Sequence, residues 1–131
     1  MDILRHIPFS INQAIVFDID DTLIDSHTDT ILKKTFELYR YCITRGYKVY
    51  IITARAKTQN AIAYTKAQLV NTGIVGYKSI AFRPPNDYNV TKYKLDARRS
   101  IPENVIMSVG DQPWDIGQYG GVGVIVRNKR K

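Results

Sequence analysis

The chain has 131 residues, of which 44% are hydrophobic and 24% are charged, and its formal net charge is +7. This length fits one domain over residues 1–131 with its own core, and the composition excludes a disordered or fibrous chain. The positive charge would attract anionic partners, although a solvated basic surface explains it equally well. We interpret the basic tail as a solubilising end, formed by Arg127, Lys129, Arg130 and Lys131.

Neither a secretion signal nor a membrane span is expected. The charged residues Asp2, Arg5 and His6 precede the first apolar run, unlike the order in a signal peptide. No apolar stretch approaches the roughly 18 residues that cross a bilayer. Cys42 is the single cysteine and lies in an apolar helical pattern, so it is predicted to pack in the core. A cytoplasmic location is therefore expected.

Short apolar runs alternate along the chain with segments of helical periodicity. The runs are rich in β-branched residues and do not alternate with polar ones, which is typical of parallel strands buried on both faces. The predicted strands are residues 14–17, 49–52, 80–82, 105–109 and 122–126. The predicted helices are residues 31–45, 57–72 and 90–99, with a short turn after Trp114. Gly46 and Gly73 are predicted to end the first two helices.

This alternation predicts a three-layer α/β fold. A Rossmann-like parallel sheet of about five strands would carry helices on both faces, joined by right-handed crossovers. In open sheets of this kind, ligands bind at the carboxyl ends of the strands. The loops that follow the strands are therefore the place to look for a site.

Carboxylates are concentrated in two of those loops. Asp18 and Asp20 follow the first predicted strand, and Asp111 and Asp115 follow the fourth. If the loops converge, the four groups would repel one another unless a cation lay between them. Oxygen ligands favour a hard ion, and magnesium fits a site with few protein ligands. With only two histidines and one cysteine in the chain, a transition-metal cluster is not indicated.

Four strings of residues occur in a fixed order: VFDIDDTLID, IITAR, YKLDARR and GDQPWDIG. In this order they resemble the four motifs of the haloacid dehalogenase superfamily. The DxDDT and GDQ forms are most similar to its acid-phosphatase-like branch, subfamily IIIB. The resemblance covers roughly residues 15–126 and implies a magnesium-dependent phosphatase that acts on phosphomonoesters.

The resemblance also implies roles for single residues. Asp18 would attack phosphorus to form an aspartyl-phosphate, and Asp20 would serve as general acid and then general base. Thr53 and Lys94 would contact the phosphate, although Thr53 could instead cap its strand. Lys92 remains an alternative to Lys94, because the sequence does not exclude an error in the helix register. The implied metal ligands are Asp18, Asp20 through its backbone carbonyl, Asp111, and Asp115 through water or by holding Lys94.

Other polar and aromatic residues near these motifs have plainer interpretations. Asp21 and Thr22 are expected to satisfy backbone groups in a tight loop rather than to take part in catalysis. Arg55 and Arg83 would lie at the rim of the site, as solvated charges or as substrate contacts. Trp114 is expected to be a packing residue, with substrate stacking as the minority alternative.

The spacing of the motifs leaves no room for a cap domain, so the site is expected to be open. Such an enzyme would take phosphate from a macromolecule or borrow cover from a second subunit in a homo-oligomer. The net charge of +7 makes phosphorylated nucleic-acid ends or nucleotides a candidate substrate class, with phosphoproteins as a second class. No membrane partner is expected.

Three other functions were weighed against a phosphatase. The first is an inactive phosphate- or metal-binding module with the same fold. The second is a response-regulator receiver, whose motifs have a different order, because Thr53 and Lys94 here both precede Asp111. The third is a small periplasmic acid phosphatase, which the expected lack of a secretion signal makes less favoured.

Overall fold

The computed structural model describes residues 2–127, which form an α/β fold around one parallel sheet. The strands are β1 (Gln13–Phe17), β2 (Lys48–Ala56), β3 (Ser79–Arg83), β4 (Asn104–Gly110) and β5 (Val122–Ile125). The helices are α1 (Asp2–Arg5), α2 (Lys33–Arg45), α3 (Gln59–Asn71) and α4 (Val90–Arg99). A 3-10 turn covers Pro113–Asp115. The order in the sheet is β3-β2-β1-β4-β5, so the predicted fold is confirmed.

The central strand β1 is paired with a parallel strand on each side. Phe17, its last residue, pairs with Ile51 of β2 on one side and with Val109 of β4 on the other. Because all three strands run in the same direction, the loops that follow them open at one edge. The loops after Phe17 and Gly110 therefore face each other across the sheet.

Alternate residues of β1 pack into two hydrophobic clusters, one on each face of the sheet. Ile15 and Phe17 pack with residues of α2 and α3, including the buried Cys42 and Leu69. Val16 faces the opposite layer, where it packs with Tyr93 of α4 and other apolar residues. The sheet thus has helices on both faces, and the prediction that Cys42 packs in the core is confirmed.

Several elements differ from their predicted form. β2 continues to Ala56, beyond the apolar run, because its polar end still pairs with Arg83 of β3 across a register shift. The helix α1 was not predicted. β5 was expected to be buried on both faces, but it lies at the edge of the sheet, where Val122 is 40% exposed and Ile125 is 39% exposed. Apolar content alone does not reveal that a strand has only one neighbour.

The helix ends follow local chemistry. The last turn of α2 stops at Gly46, whose φ of 95° lies in the left-handed region that glycine tolerates. The α3 helix begins where the Thr58 side chain accepts a hydrogen bond from the Ala61 backbone N–H. In the described part of the chain, no cap domain interrupts the succession of strands and helices, as predicted. Of the predicted tail, Lys129, Arg130 and Lys131 lie outside the described residues.

The helices of the described chain are too short or too polar for a bilayer. None of those between residues 2 and 127 combines the length and the apolar content that a membrane crossing would need.

Candidate active site

The Asp18 carboxylate lies at the carboxyl end of the central strand. Its backbone N–H still bonds to the Val109 carbonyl at 3.0 Å, which holds the loop against β4. Its Oδ1 accepts a hydrogen bond from Lys94 Nζ at 3.0 Å, and its Oδ2 accepts one from the Thr22 hydroxyl at 3.1 Å. The side chain is therefore buried and held from two directions.

Lys94 links three parts of the chain through one ammonium group. Besides Asp18, its Nζ donates to Asp115 Oδ1 at 2.6 Å and to the Ile52 carbonyl of β2 at 2.9 Å. Burial acts to lower the pKa of Lys94, but the carboxylates of Asp18 and Asp115 outweigh it and raise the pKa above its usual value. The ammonium therefore stays charged although Lys94 is only 2% exposed.

The alternative lysine, Lys92, lies elsewhere. Its side chain is exposed and donates to Asp96 at 2.7 Å, one turn further along the same helix. The register of α4 thus turns Lys94 toward the Asp18 loop and Lys92 toward solvent.

Asp115 is fixed by the loop that it belongs to. Its Oδ1 accepts the hydrogen bond from Lys94, while its Oδ2 accepts bonds from the backbone N–H groups of Asp111 at 3.1 Å and Gln112 at 3.0 Å. Because two backbone N–H groups hold its Oδ2, the position of Asp115 suits the holding of Lys94 better than direct coordination of a metal.

Gly110 makes this arrangement sterically feasible. A Cβ built on it would lie 2.1 Å from Asp115 Cβ, far inside van der Waals contact. We expect Gly110→Ala to displace Asp115 and to lower the free energy of unfolding by about 1–3 kcal/mol, the usual cost of overpacking. Chemical denaturation of the two proteins would measure the loss. Gly117→Ala separates steric from conformational cost: open space surrounds the added methyl group, so any loss of stability there comes from its φ of 110° alone.

Asp18 experiences an excess of negative charge. Burial raises its pKa to about 7; Lys94 opposes the shift, while Asp115 and Asp111 add to it. Three carboxylates here face one ammonium, so a cation would lower the cost of keeping Asp18 ionised. This is the electrostatic condition expected of a metal site.

The donor atoms fit such a cation. Asp18, Asp111 and Asp115 offer carboxylate oxygens that all lie within 4.8 Å of one another. Oxygen donors from carboxylates suit magnesium or another hard divalent ion. Asp115 is held by backbone N–H groups of its own loop, whereas side chains donate to Asp18 and to Asp111. Because side chains can turn aside for an ion more easily than backbone groups, Asp18 and Asp111 are better suited to direct coordination.

A second acidic group lies in the loop after β1. Asp21, Asp25 and His27 also offer atoms within 4.8 Å of one another. The carboxylates serve the loop itself, since Asp21 accepts bonds from the backbone and hydroxyl of Ser26, and Asp25 accepts one from the backbone of His27. Asp21 thus satisfies a backbone group of its loop, as predicted. Thr22 differs from the prediction, because its hydroxyl donates to Asp18.

Asp20 and Thr53, the other two predicted site residues, are bonded to Arg55 rather than to Asp18 or Lys94. The Asp20 side chain forms a two-point ion pair with Arg55, with N···O distances of 3.0 and 2.8 Å. The fully buried Thr53 hydroxyl accepts a bond from the Arg55 backbone N–H at 3.1 Å, as the capping alternative describes. Its own hydrogen remains available as a donor, so this bond is compatible with a phosphate contact.

Two other arginines near the site, Arg83 and Arg98, bind backbone carbonyls. Arg83 donates to the backbone carbonyls of Ala54 and Asp87, so it is not simply a solvated charge. Arg98, which had no assigned role, is buried and donates to the carbonyl of Trp114. Trp114 lies at the surface with 36% exposure, so most of the residue is covered by its neighbours.

Comparisons with known proteins show which family the chain resembles. The family model for the haloacid dehalogenase superfamily, subfamily IIIB (acid phosphatase), matches residues 25–130. Acid phosphatase 1 of Solanum lycopersicum is 25% identical over 101 residues, which cover 73% of this chain and 39% of that enzyme. The chain therefore spans well under half the length of this relative.

Two solved structures share the fold. The structure of the Pnkp1/Rnl/Hen1 complex aligns with a TM-score of 0.74 and 17% identity, over 91% of this chain and 47% of that chain. The structure of the Pnkp1/Rnl/Hen1 RNA repair complex aligns with a TM-score of 0.69 and 19% identity, over 87% and 42%. At these identities the likeness supports the fold alone. The family match, which extends over most of the sequence, shows that the chain belongs to subfamily IIIB of the haloacid dehalogenase superfamily, the acid phosphatases.

Proposed function

We propose that the chain is a magnesium-dependent phosphomonoester hydrolase that works through an aspartyl-phosphate on Asp18. One observation carries this proposal: the Asp18 carboxylate lies at the end of the central strand, held by Lys94 and close to Asp111 and Asp115. A buried carboxylate that is oriented but not fully neutralised is suited to attack an electrophile. Membership of an acid phosphatase family makes phosphorus the expected electrophile.

In the first step, an Asp18 oxygen forms a bond to phosphorus and the bond to the leaving oxygen breaks. Asp20 would supply the proton that the leaving oxygen takes. Lys94 and the Thr53 hydroxyl would stabilise the negative charge on the phosphoryl oxygens. In the second step, water attacks phosphorus, the bond to Asp18 breaks, and Asp20 accepts the proton from water.

A divalent cation would complete the charge balance of this site. Asp18 and Asp111 would hold it by their side chains and Asp20 by its backbone carbonyl, with Asp115 keeping Lys94 in place. When bound, magnesium would supply electrostatic stabilisation of the phosphate and of the attacking carboxylate. The alternative, an inactive binding module with the same fold, predicts binding without turnover, so hydrolysis of an aryl phosphate with and without magnesium distinguishes the two.

We expect Asp20→Asn to lower turnover by about 10²–10⁴-fold for alkyl phosphates, the usual contribution of general acid–base catalysis. An amide has the shape of the carboxyl but cannot transfer its proton. The rate of aspartyl-phosphate formation from an aryl phosphate with a good leaving group should fall less, because that leaving oxygen needs little protonation. Single-turnover rates for the two substrates would measure the difference. Equal losses for both would contradict the assignment of Asp20 as the acid.

We expect magnesium to stabilise the folded chain. A ligand that binds only the native state at about 100 times its dissociation constant adds about 2.7 kcal/mol. Thermal unfolding with magnesium and with a chelator would measure the shift. Asp111→Asn should abolish it, whereas Asp29→Asn, a matched change at an exposed residue, should leave it intact. An unchanged shift in Asp111→Asn would exclude Asp111 as a ligand.

A candidate substrate class is the phosphorylated end of a nucleic acid. The formal charge of +7 favours polyanions, and two proteins of similar fold come from complexes, one of them described as an RNA repair complex. Neutralising several backbone phosphates would make the apparent affinity fall steeply with salt. Oligonucleotides with a terminal phosphate should therefore lose kcat/KM between about 50 and 200 mM salt much faster than a small aryl phosphate. Equal salt dependence would count against nucleic acid and favour a small or protein substrate.

A further inference from the structure

Arg55 connects the Asp20 carboxylate to helix α3. Its Nε and Nη2 donate to the two Asp20 oxygens at 3.0 and 2.8 Å. Its Nη1 donates to the Thr65 hydroxyl at 3.0 Å and to the Gln68 side-chain carbonyl at 2.8 Å. The guanidinium is thus held by a carboxylate on one side and by a helix on the other.

The helical side of this contact is the firmer one. Thr65 is fully buried, and the Arg55 side chain is 16% exposed, whereas the Asp20 side chain is 43% exposed. Since Thr65 and Gln68 bind Arg55 independently of Asp20, α3 sets the orientation of the guanidinium. A planar guanidinium binds both oxygens of a carboxylate in one plane. The orientation set by α3 is therefore passed on to Asp20.

We propose that Arg55 is a positioning residue that holds the Asp20 carboxylate for hydrolysis of the aspartyl-phosphate. This inference rests on the proposed function. In that step the water oxygen bonds to phosphorus, the bond from phosphorus to the Asp18 oxygen breaks, and a water proton moves to Asp20. The two N–H donors of Arg55 fix the plane of the Asp20 carboxyl and take one lone pair of each oxygen, so the other lone pairs can face the attacking water.

The first step depends less on this contact. With a good leaving group such as p-nitrophenolate, the leaving oxygen departs without a proton from Asp20. Loss of Arg55 should therefore slow the second step selectively. Its Nε, Nη1 and Nη2 all donate to protein acceptors, which favours action through Asp20 over direct contact with the phosphate.

The test is steady-state hydrolysis of p-nitrophenyl phosphate by Arg55→Met. The ratio kcat/KM reports the steps up to phosphorylation of Asp18, whereas kcat also includes its hydrolysis. We expect kcat to fall about tenfold or more, KM to fall in proportion, and kcat/KM to stay within about twofold. A raised KM with a lower kcat/KM would instead show direct binding of phosphate. Equal losses in kcat and kcat/KM would show a merely structural role, and either result overturns the inference.

Two further variants make the test specific. Arg83→Met removes a neighbouring arginine that binds the backbone carbonyls of Ala54 and Asp87, so it should not produce the split. Arg55→Met added to Asp20→Asn should cause no further loss of kcat, because residues that act through one another are not additive. A further loss would show that Arg55 acts independently of Asp20.

The outcomes also separate this inference from the proposed function. If the parent chain with magnesium releases no phosphate from p-nitrophenyl phosphate, the proposed function fails. If the parent is active and Asp18→Asn is not, but Arg55→Met shows no split between kcat and kcat/KM, only the role of Arg55 is excluded.

Discussion

Asp18→Asn is expected to lower turnover by at least about 10³-fold, because an amide does not replace a carboxylate as nucleophile. Loss of a covalent nucleophile has effects of this size or larger. The substitution keeps the shape of the side chain: Lys94 can still donate to the amide oxygen, and the Thr22 hydroxyl can accept a bond from the amide NH2. The fold should therefore survive. Phosphate release with saturating magnesium measures the loss, and circular dichroism verifies the fold.

The same variant should show a characteristic dependence of stability on pH in metal-free buffer. Burial raises the pKa of Asp18 from 3.8 to about 7, so the unfolded chain loses this proton at lower pH than the folded chain. The parent therefore loses stability as pH rises from about 4 to 7, and the loss is complete above about 7. Asp18→Asn lacks this loss, so its stability relative to the parent should increase over that interval.

Asp29→Asn is the matched control for both measurements. Asp29 is exposed and has a φ of 58°, a left-handed conformation that asparagine tolerates well. Its turnover and stability should resemble those of the parent. Near-native turnover by Asp18→Asn would instead show that the nucleophile is misassigned and would remove the basis of the mechanism.

The outline of the site was predictable because it follows from the order of the strands. Asp18 comes directly after one apolar run and Asp111 one residue after another, and parallel strands bring their carboxyl ends to one edge. The helical register of α4 could be predicted only to within one turn from the sequence. Which of Lys92 and Lys94 faces that edge depends on how the helix packs against the sheet, a contact between distant parts of the chain.

The contacts that hold the site were not predictable from local patterns. Arg55 and Asp20 are 35 positions apart, and they meet because β2 continues beyond its apolar run. Asp115 binds the backbone N–H groups of its own loop, and only a glycine at position 110 leaves room for it. A glycine in a sequence shows that space is available but does not identify the side chain that fills it.

Lys94→Met is expected to have the second large effect, on stability as well as on turnover. The change removes the only ammonium that lies between Asp18 and Asp115 in the described chain, and it leaves two buried carboxylates facing each other. Breaking a buried ion pair from one side typically costs about 3–5 kcal/mol. Urea denaturation should show this loss, and turnover should fall because the phosphoryl charge is no longer neutralised.

A matched lysine and a compensating variant separate these two effects. Lys92→Met removes an exposed lysine that binds Asp96, and it should leave both stability and turnover near the parent values. Adding Asp115→Asn to Lys94→Met removes one of the two opposed charges, so stability should recover in part while turnover stays low. Removing the Asp115 carboxylate cannot replace the positive charge that Lys94 would bring to the phosphoryl group. If turnover recovered together with stability, Lys94 would therefore serve the fold alone.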